Sequence, residues 1–259
     1  MVDDTGSDSK ATTRRVVIAV LVLLVAIGAV AIWLVRRGGD DSSATTTTSV
    51  ASTDTSAHPT EPGSSTSTSS ATAPADDATA TAVWPRSDTA RRFEDPVAAA
   101  RSFAVDFAVF ADPVLGEFRQ GDSRSGEVEV RPRADGPVTT VFVRQLGDDG
   151  SWWVLGSATA NIEVTEPAAL ATIGDPATLK GTANAFEGTV DVDIRADGRD
   201  EPLAKGFVTG RMGEMGPFDS TLSFPSPHGG YGAVVFRTLS AEDGSVWEAA
   251  VVRVKFADG

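Results

Sequence analysis

The chain has 259 residues, enough for one or two domains, and 41% of them are hydrophobic, so it can bury a core. It has no cysteine, which excludes a disulfide, a zinc–thiolate cluster and a thiol nucleophile. Its formal net charge of -14 excludes nucleic acid as an expected partner, because phosphates attract basic surfaces.

The first predicted element is a transmembrane helix at 16–35. These residues contain no charge and no proline, and as a helix they would span about 30 Å, the thickness of a bilayer's hydrocarbon core. Arginine pairs at 14–15 and 36–37 flank them, and Trp33 takes the place of an interfacial aromatic residue. The basic residues favour a cytoplasmic tail at 1–15. We therefore expect a single-pass protein of the cell membrane whose C-terminal domains are extracytoplasmic.

Two alternatives for this N-terminal segment stay open. Ala29, Val30 and Ala31 have the small-x-small form of a signal peptidase site, although cleavage there would leave apolar residues on the mature end. The arginine pair at 14–15 also resembles the start of a twin-arginine export signal. A retained anchor is the prediction we favour.

Residues 36–92 are predicted to form a disordered linker. The segment is dominated by Ser, Thr, Ala, Asp, Gly and Pro, as in "SSATTTTSVASTDTSAHPTEPGSS". With almost no large apolar side chains it cannot offset the entropy lost on ordering. Such a segment serves as a stalk that carries a domain away from a membrane, or simply as a spacer.

Residues 93–160 are predicted to form a small α+β domain. Asp95 is a suitable N-cap and Pro96 fits the first helical position. An aromatic stripe follows at helical spacing, formed by Phe103, Phe107 and Phe110. Strand patterns come next in "GEVEVRPR", "PVTTVFVRQL" and "SWWVLG", with a turn at "GDDG" before the last. This layout resembles the tail half of a nuclear-transport-factor-like α+β fold, which implies a pocket.

Three side chains of this domain are functional candidates. Asp106 lies beside the phenylalanine stripe, where a carboxylate could act as a general base, although a solvated polar face is the simpler interpretation. Trp152 and Trp153 are neighbours on a strand and must point to opposite faces. We expect one of them to pack under the helix and the other to mark an exposed contact surface.

Residues 161–259 predict an antiparallel β-sandwich, because short strand patterns recur without a helix signal. The predicted strands are 171–173, 178–183, 189–195, 203–208, 218–224, 233–239 and 247–256. Three of them show clear alternation of core residues: Val190, Val192 and Ile194; Phe218, Leu222 and Phe224; Val252, Val254 and Phe256.

The stretch "GTVDVDIRADG" carries several acidic residues, so it is a candidate for a cation site. Asp191 and Asp193 alternate with the core positions, so we expect them to face water from the other side of the strand. A calcium loop needs carboxylates at positions 1, 3 and 5 and glycine at 6, whereas Asp191 and Asp193 are followed by Arg195 and Ala196. The spacing predicts a solvated strand face and no metal site.

Three segments of this region resemble the bacterial spore germination immunoglobulin-like domain: "GTANAFEGTV" at 181–190, "GPFDSTLSF" at 216–224 and "SAEDGSVWEAAVVRV" at 240–254. The resemblance implies an immunoglobulin-like sandwich in a bacterial envelope protein linked to sporulation or germination, and it implies no chemistry. Physical reasoning adds that Phe186 plugs one end of the sandwich and that Glu187, before Gly188, binds backbone donors in a tight entry.

The sequence offers few residues that could support catalysis. The two histidines are His58, in the linker, and His228, in the glycine-rich "PSPHGGYG", and no nucleophile elbow, phosphate loop or metal motif is present. We predict no catalytic, cofactor-binding or metal-binding residues and no cofactor. Tyr231 and His228, together with Trp152 and Trp153, are the candidate binding residues.

The predicted function is that of a membrane-anchored, extracytoplasmic, non-enzymatic binding protein of the bacterial cell envelope. The expected partners are the membrane, through 16–35, and an envelope protein or cell-wall component. One alternative is a hydrolase or isomerase that uses a pocket in 93–160 with Asp106 as its carboxylate. Another is a purely structural spacer.

Overall fold

The computed structural model describes residues 78–258, which belong to one compact unit. No helix within 78–258 is long and apolar enough to cross a membrane. The transmembrane helix predicted at 16–35, the tail at 1–15 and the first part of the linker lie outside the described residues.

Helical structure is scarce and the described chain is mainly β. A 3-10 turn covers Ala78–Thr81, and the only α-helix of the described residues, α1, covers Pro96–Ser102. A π-helical turn, Phe103–Phe107, continues α1, and a second 3-10 turn covers Phe186–Gly188. The strands are β1 Val114–Gln120, β2 Ser125–Arg131, β3 Thr139–Gln145, β4 Trp152–Thr159, β5 Ile162–Glu166, β6 Thr172–Ile173, β7 Ala177–Ala183, β8 Thr189–Ala196, β9 Ala204–Thr209, β10 Gly216–Leu222, β11 Tyr231–Leu239 and β12 Val246–Phe256.

The strands form two layers. The larger layer has the order β1-β2-β3-β4-β12-β11-β8-β9, and all its neighbours are antiparallel. The smaller layer consists of β5, β7 and β10, and β4 joins it through a single pairing of Thr159 with Ile162. The short strand β6 runs parallel to the end of β12. The antiparallel β architecture predicted for 161–259 is therefore confirmed.

The first hydrophobic core lies between the two layers. The predicted alternation on β8 is confirmed, because Val190, Val192 and Ile194 all point into this core. The other two predicted sets also pack in this core: Phe218, Leu222 and Phe224, and Val252, Val254 and Phe256. The other buried members include Leu179 of β7 and Phe236 of β11. Burial of this many branched and aromatic side chains, at about 1.5–3 kcal/mol each, stabilises the sandwich.

The second core lies under α1 on the opposite face of the larger layer. Asp95 caps α1 as predicted: its carboxylate accepts a hydrogen bond from the Ala98 backbone N–H at 2.7 Å. Phe103 and Phe110 of the predicted stripe are buried, and Phe107 is half-buried. The stripe therefore packs on valines of β2, β3 and β4 and on one face of β11 and β12.

Strands β11 and β12 belong to both cores. On β11, Val234 and Phe236 face the sandwich, whereas Ala233 and Val235 face the helix. Strand β12 also pairs with β4, where Ser157 lies opposite Val251. The boundary predicted at 160/161 falls in the tight turn between β4 and β5, and the strands on its two sides share one sheet.

Residues 78–92, which we had placed in the linker, are ordered against the folded part. Val83 is buried and its backbone N–H donates to the Val154 carbonyl at 2.8 Å. The Trp84 indole N–H donates to the Ser102 hydroxyl at 3.0 Å. The sequence prediction failed here because these few apolar residues stand beside a long polar segment.

Asp193 does not face water, and its prediction was wrong. It is 3% exposed, and its Oδ2 accepts hydrogen bonds from Arg195 at 2.8 Å and from Arg237 at 2.7 Å. Arg195 also donates to the Phe107 carbonyl at 2.8 Å, so the π-helical turn covers this ion cluster. The predicted alternation of β8 is confirmed, but the π-helical turn that continues α1 covers the second face of the strand. Asp191, nearer the edge, is half-buried.

Candidate binding groove at the loop end of the sandwich

A groove of about 440 Å³ opens at one end of the sandwich. Its walls come from the β7–β8, β9–β10 and β11–β12 connections, and Trp247 and Glu248 of β12 extend its lining. Asn161, at the β4–β5 turn, and Arg133, after β2, complete the lining. The groove is therefore built from loops of both the 93–160 and the 161–259 segments.

The rim of the groove is apolar and exposed. Phe186 is 56% exposed and Met212 is 66% exposed, and Leu239 is also exposed. Phe186 was predicted to plug the sandwich, and that prediction was wrong because the 3-10 turn after β7 turns its ring outward. Glu187 follows at φ 54 and its side chain is exposed, so the predicted capping of backbone donors is not seen. Clustered exposed apolar side chains of this kind mark interaction sites.

A buried carboxylate lies at the floor. Glu248 is 2% exposed and accepts hydrogen bonds from the hydroxyls of Thr159 and, at 3.2 Å, Thr238. The amide of Asn161 donates to both of its oxygens at 3.2 Å. All of these donors are neutral, and Glu248 forms no ion pair with any residue in 78–258.

Burial is the main influence on the pKa of Glu248. Removing the carboxylate from water raises the pKa of Glu248, and the hydrogen bonds from Thr159, Asn161 and Thr238 oppose part of that rise. Burying a charge without a counter-charge is costly. At the floor of the groove, Glu248 is thus a carboxyl group that no cation from residues 78–258 accompanies.

Arg133 in the groove lining, and Arg211, which precedes the lining residue Met212 in the chain, are already paired. Arg133 lies 3.3 Å from Glu242 and 3.0 Å from Asp135, and its guanidinium sits 4.7 Å from the centroid of the Trp247 ring. Arg211 lies 2.6 Å from Glu214. The pair of Arg133 with Glu242 balances one charge of each sign, which leaves Glu248 as the carboxylate of the groove lining without an ion pair in 78–258.

The four binding residues predicted from sequence lie elsewhere. Tyr231 is half-buried with Arg253 and Lys255 against its ring, and His228 is exposed in its loop at φ 56. Trp152 is half-buried and contacts Phe118 edge-on. None of the four lines the groove, and their role in binding stays a prediction.

The prediction that one tryptophan of the pair is exposed was wrong, because Trp153 is buried. Trp152 packs on the helix side, as expected for one of them, but Trp153 on the other face is buried. Residues Ala82 and Leu146 cover it, and the guanidinium of Arg92 lies 4.8 Å from its ring centroid. The segment before α1, which looked like linker, provides this cover.

Asp106 does not have the setting of a catalytic base. It is exposed, and its Oδ2 lies 2.6 Å from Arg91 and 2.8 Å from the Ser102 hydroxyl. The hypothesis that Asp106 is the carboxylate of an internal pocket is therefore wrong. Within residues 78–258, no group of three or more His, Asp or Glu side chains is placed to hold a metal ion.

The two mainly antiparallel layers that enclose the first core are consistent with an immunoglobulin-like β-sandwich, and the larger layer also carries the helix-covered second core. Residues 161–245 match the family described as the immunoglobulin-like domain of bacterial spore germination. The resemblance noted in the sequence is thereby confirmed. No curated protein and no solved structure matches the chain.

The groove overlaps the matched region only in part. Asn184, Phe186, Met212 and Leu239 fall within residues 161–245, whereas Arg133 and Glu248 do not. Sequence reasoning missed the groove because its members are scattered over five connections. The sequence does contain one indication of the groove: Phe186 and Met212 are large apolar residues in otherwise polar, glycine-containing loops.

Proposed function

We propose that this protein is a germination-related, non-enzymatic interaction protein that binds a protein partner through the groove. The observation that carries the proposal is the exposed apolar rim, Phe186, Met212 and Leu239, placed over a buried polar floor. Protein interfaces combine such apolar anchors with a few fixed polar groups. The family match of residues 161–245 supports the link to germination.

The site's chemistry supports the non-enzymatic part of this proposal. The groove is lined by two carboxylates: Glu248 is held by neutral hydrogen-bond donors, and Glu242 is paired with Arg133. His228 does not line it. General acid–base catalysis and nucleophilic catalysis need a second group within hydrogen-bond reach that exchanges a proton or attacks the substrate. The groove is better suited to holding a side chain than to transforming one.

Anchoring in the membrane by 16–35, with the groove outside the cell, is part of the same proposal. Its support is the uncharged run of residues between two arginine pairs. Protease treatment of intact cells, followed by blotting for a C-terminal tag, tests it. Loss of the tag from unlysed cells is the expected result, and protection of the tag until lysis would reverse the orientation.

A purely structural spacer is the competing proposal. The shared sheet favours it, since the two segments pack closely on each other. The exposed rim argues against it, because a spacer has no reason to keep Phe186 and Met212 in water.

The groove is tested by site-specific photocrosslinking in cells that produce the full chain. A photoreactive phenylalanine replaces Met212 in one variant and Phe207 in the other. Both native side chains are 66% exposed, but Phe207 on β9 does not line the groove. The Met212 position should give a discrete adduct that the Phe207 position does not.

The adduct supports the proposal only after reconstitution. The crosslinked protein is identified by mass spectrometry and purified, and its affinity is measured with Met212→Asp and Phe207→Asp variants of the full chain. Loss of affinity in the first variant alone is expected. Equal crosslinking from both positions, or equal affinity of both variants, would refute a role for the groove.

A further inference from the structure

We infer that the groove recognises a basic segment of its protein partner, one in which a lysine or arginine stands beside a large apolar side chain. The cation would enter toward Glu248 and the apolar side chain would rest on Phe186, Met212 and Leu239. This inference rests on the proposed function, because it specifies the chemistry of the partner that the groove binds.

The first argument is charge complementarity. Glu248 is buried and has no cationic partner within 78–258. The other buried carboxylate of residues 78–258, Asp193, has two, because it contacts both Arg195 and Arg237. A lysine or arginine brought by a partner would give Glu248 the counter-charge that the fold supplies elsewhere.

The second argument is the position of Asn161. Asn161 and Glu248 both belong to the groove lining, and Glu248 is only 2% exposed, so a cation reaches its carboxylate by displacing the Asn161 amide. The bonds from the Asn161 amide to the two carboxylate oxygens are 3.2 Å long, at the upper end of the N–H···O range. A charged donor forms shorter and stronger bonds, so an incoming cation competes well against this amide.

The third argument is the aromatic wall. The guanidinium of Arg133 already lies 4.7 Å from the centroid of Trp247, which shows that this end of the groove accommodates a planar cation against a ring. Phe186 offers a second ring, which is exposed and which no cation from the described part of the chain, 78–258, contacts.

The same charges argue against other occupants. The chain carries a net charge of -14, so a second copy would bring mostly negative charge toward Glu248. An acidic peptide meets the same repulsion from Glu248, and the arginine of the groove lining that could attract it, Arg133, is already paired with Glu242.

The test uses a phage-displayed library of random twelve-residue peptides, selected on the full-length chain. Binders that also bind a Met212→Asp variant are removed, so that groove-dependent peptides remain. We expect lysine or arginine next to leucine, isoleucine, phenylalanine or methionine to be enriched. A selected peptide is then synthesised in two forms, one with its basic residue and one with norleucine in its place.

The affinities of both peptides are measured for the wild-type chain, Glu248→Gln and Glu117→Gln. Glu117 is an exposed carboxylate on β1 outside the groove, so its variant is the matched control for loss of one negative charge. The basic peptide should lose about tenfold in affinity or more with Glu248→Gln, as expected for a desolvated charge pair, and little with Glu117→Gln. The norleucine peptide should bind the wild type and Glu248→Gln alike.

Each other outcome is decisive. Groove-dependent peptides without basic residues, or a basic peptide indifferent to Glu248→Gln, would overturn the inference and leave the groove as a binding site. An absence of groove-dependent peptides would also overturn it, and the crosslinking from Met212 would then decide separately whether the groove binds a partner. If Glu248→Gln unfolds the chain, the comparison of the two peptides on the wild type alone decides, because equal affinities contradict a cation site.

Discussion

Replacing Asp193 by Asn tests whether the second face of β8 is buried. The substitution keeps the shape of the side chain and removes the negative charge that both Arg195 and Arg237 contact. Removing one partner of a fully buried ion pair costs about 3–5 kcal/mol, since the remaining charge stays buried. The side chains of Arg195 and Arg237 are 18% and 15% exposed, so part of that cost is relieved by water. We expect a loss of about 2–4 kcal/mol in the free energy of unfolding.

Urea unfolding of the full chain, followed by tryptophan fluorescence, measures this loss. With a slope of about 2 kcal/mol per molar urea, the midpoint should fall by roughly 1–2 M. Asp191→Asn is the matched control, because Asp191 lies on the same face two residues away, is half-buried and forms no ion pair with any residue in 78–258. Its effect should stay within about 0.5 kcal/mol, as at surface positions. Equal, small effects of the two substitutions would refute a buried ion cluster.

Three further outcomes are expected. Phe103→Ala in the helix-side core and Leu179→Ala in the sandwich core should each cost about 2–5 kcal/mol and shift one common unfolding transition, because β11 and β12 belong to both cores; two separate transitions would contradict this coupling. Burial raises the pKa of Glu248, so lowering the pH from 8 toward 4.5 protonates it and removes the cost of burying its charge, while Glu248→Gln does not titrate; the stability of the wild type relative to this variant, from urea midpoints, should therefore increase as the pH falls, and a decrease would show the opposite shift. Arg253→Met removes the contacts of a buried guanidinium with the Ala80 carbonyl, so hydrogen exchange at residues 80–84 should accelerate, and unchanged protection would mean that other contacts hold the segment.

Local patterns in the sequence were sufficient for most strands and for the start of α1. The alternation of Val190, Val192 and Ile194 identified a core face because the period of a strand is two, and Asp95 with Pro96 identified a helix start through capping chemistry. Strand β1 was missed because its pattern of apolar residues does not alternate: the strand is at the sheet edge and is largely exposed.

The wrong predictions concern which segments cover the faces of the strands. Asp193 and Trp153 occupy positions that a two-layer sandwich or a simple meander leaves in water. Here the π-helical turn after α1 covers Asp193, and residues from 78–92 help to cover Trp153. Coverage by a distant segment leaves no periodic signal at the covered residue. The groove is hidden for a similar reason, since Phe186, Met212 and Glu248 meet only after the loops are brought to one end of the fold.

The position of β12 has a consequence for the order of folding. Strand β12, Val246–Phe256, is the last strand along the described chain, yet it lies between β4 and β11 in the middle of the larger layer. On a ribosome, neither core can close until these residues have emerged, and until then the apolar faces of β4 and β11 remain without their partner. Such dominance of long-range contacts slows folding and prolongs exposure of unpaired strands. A nascent chain stalled before residue 246 should thus depend on chaperones, whereas the full-length chain should not.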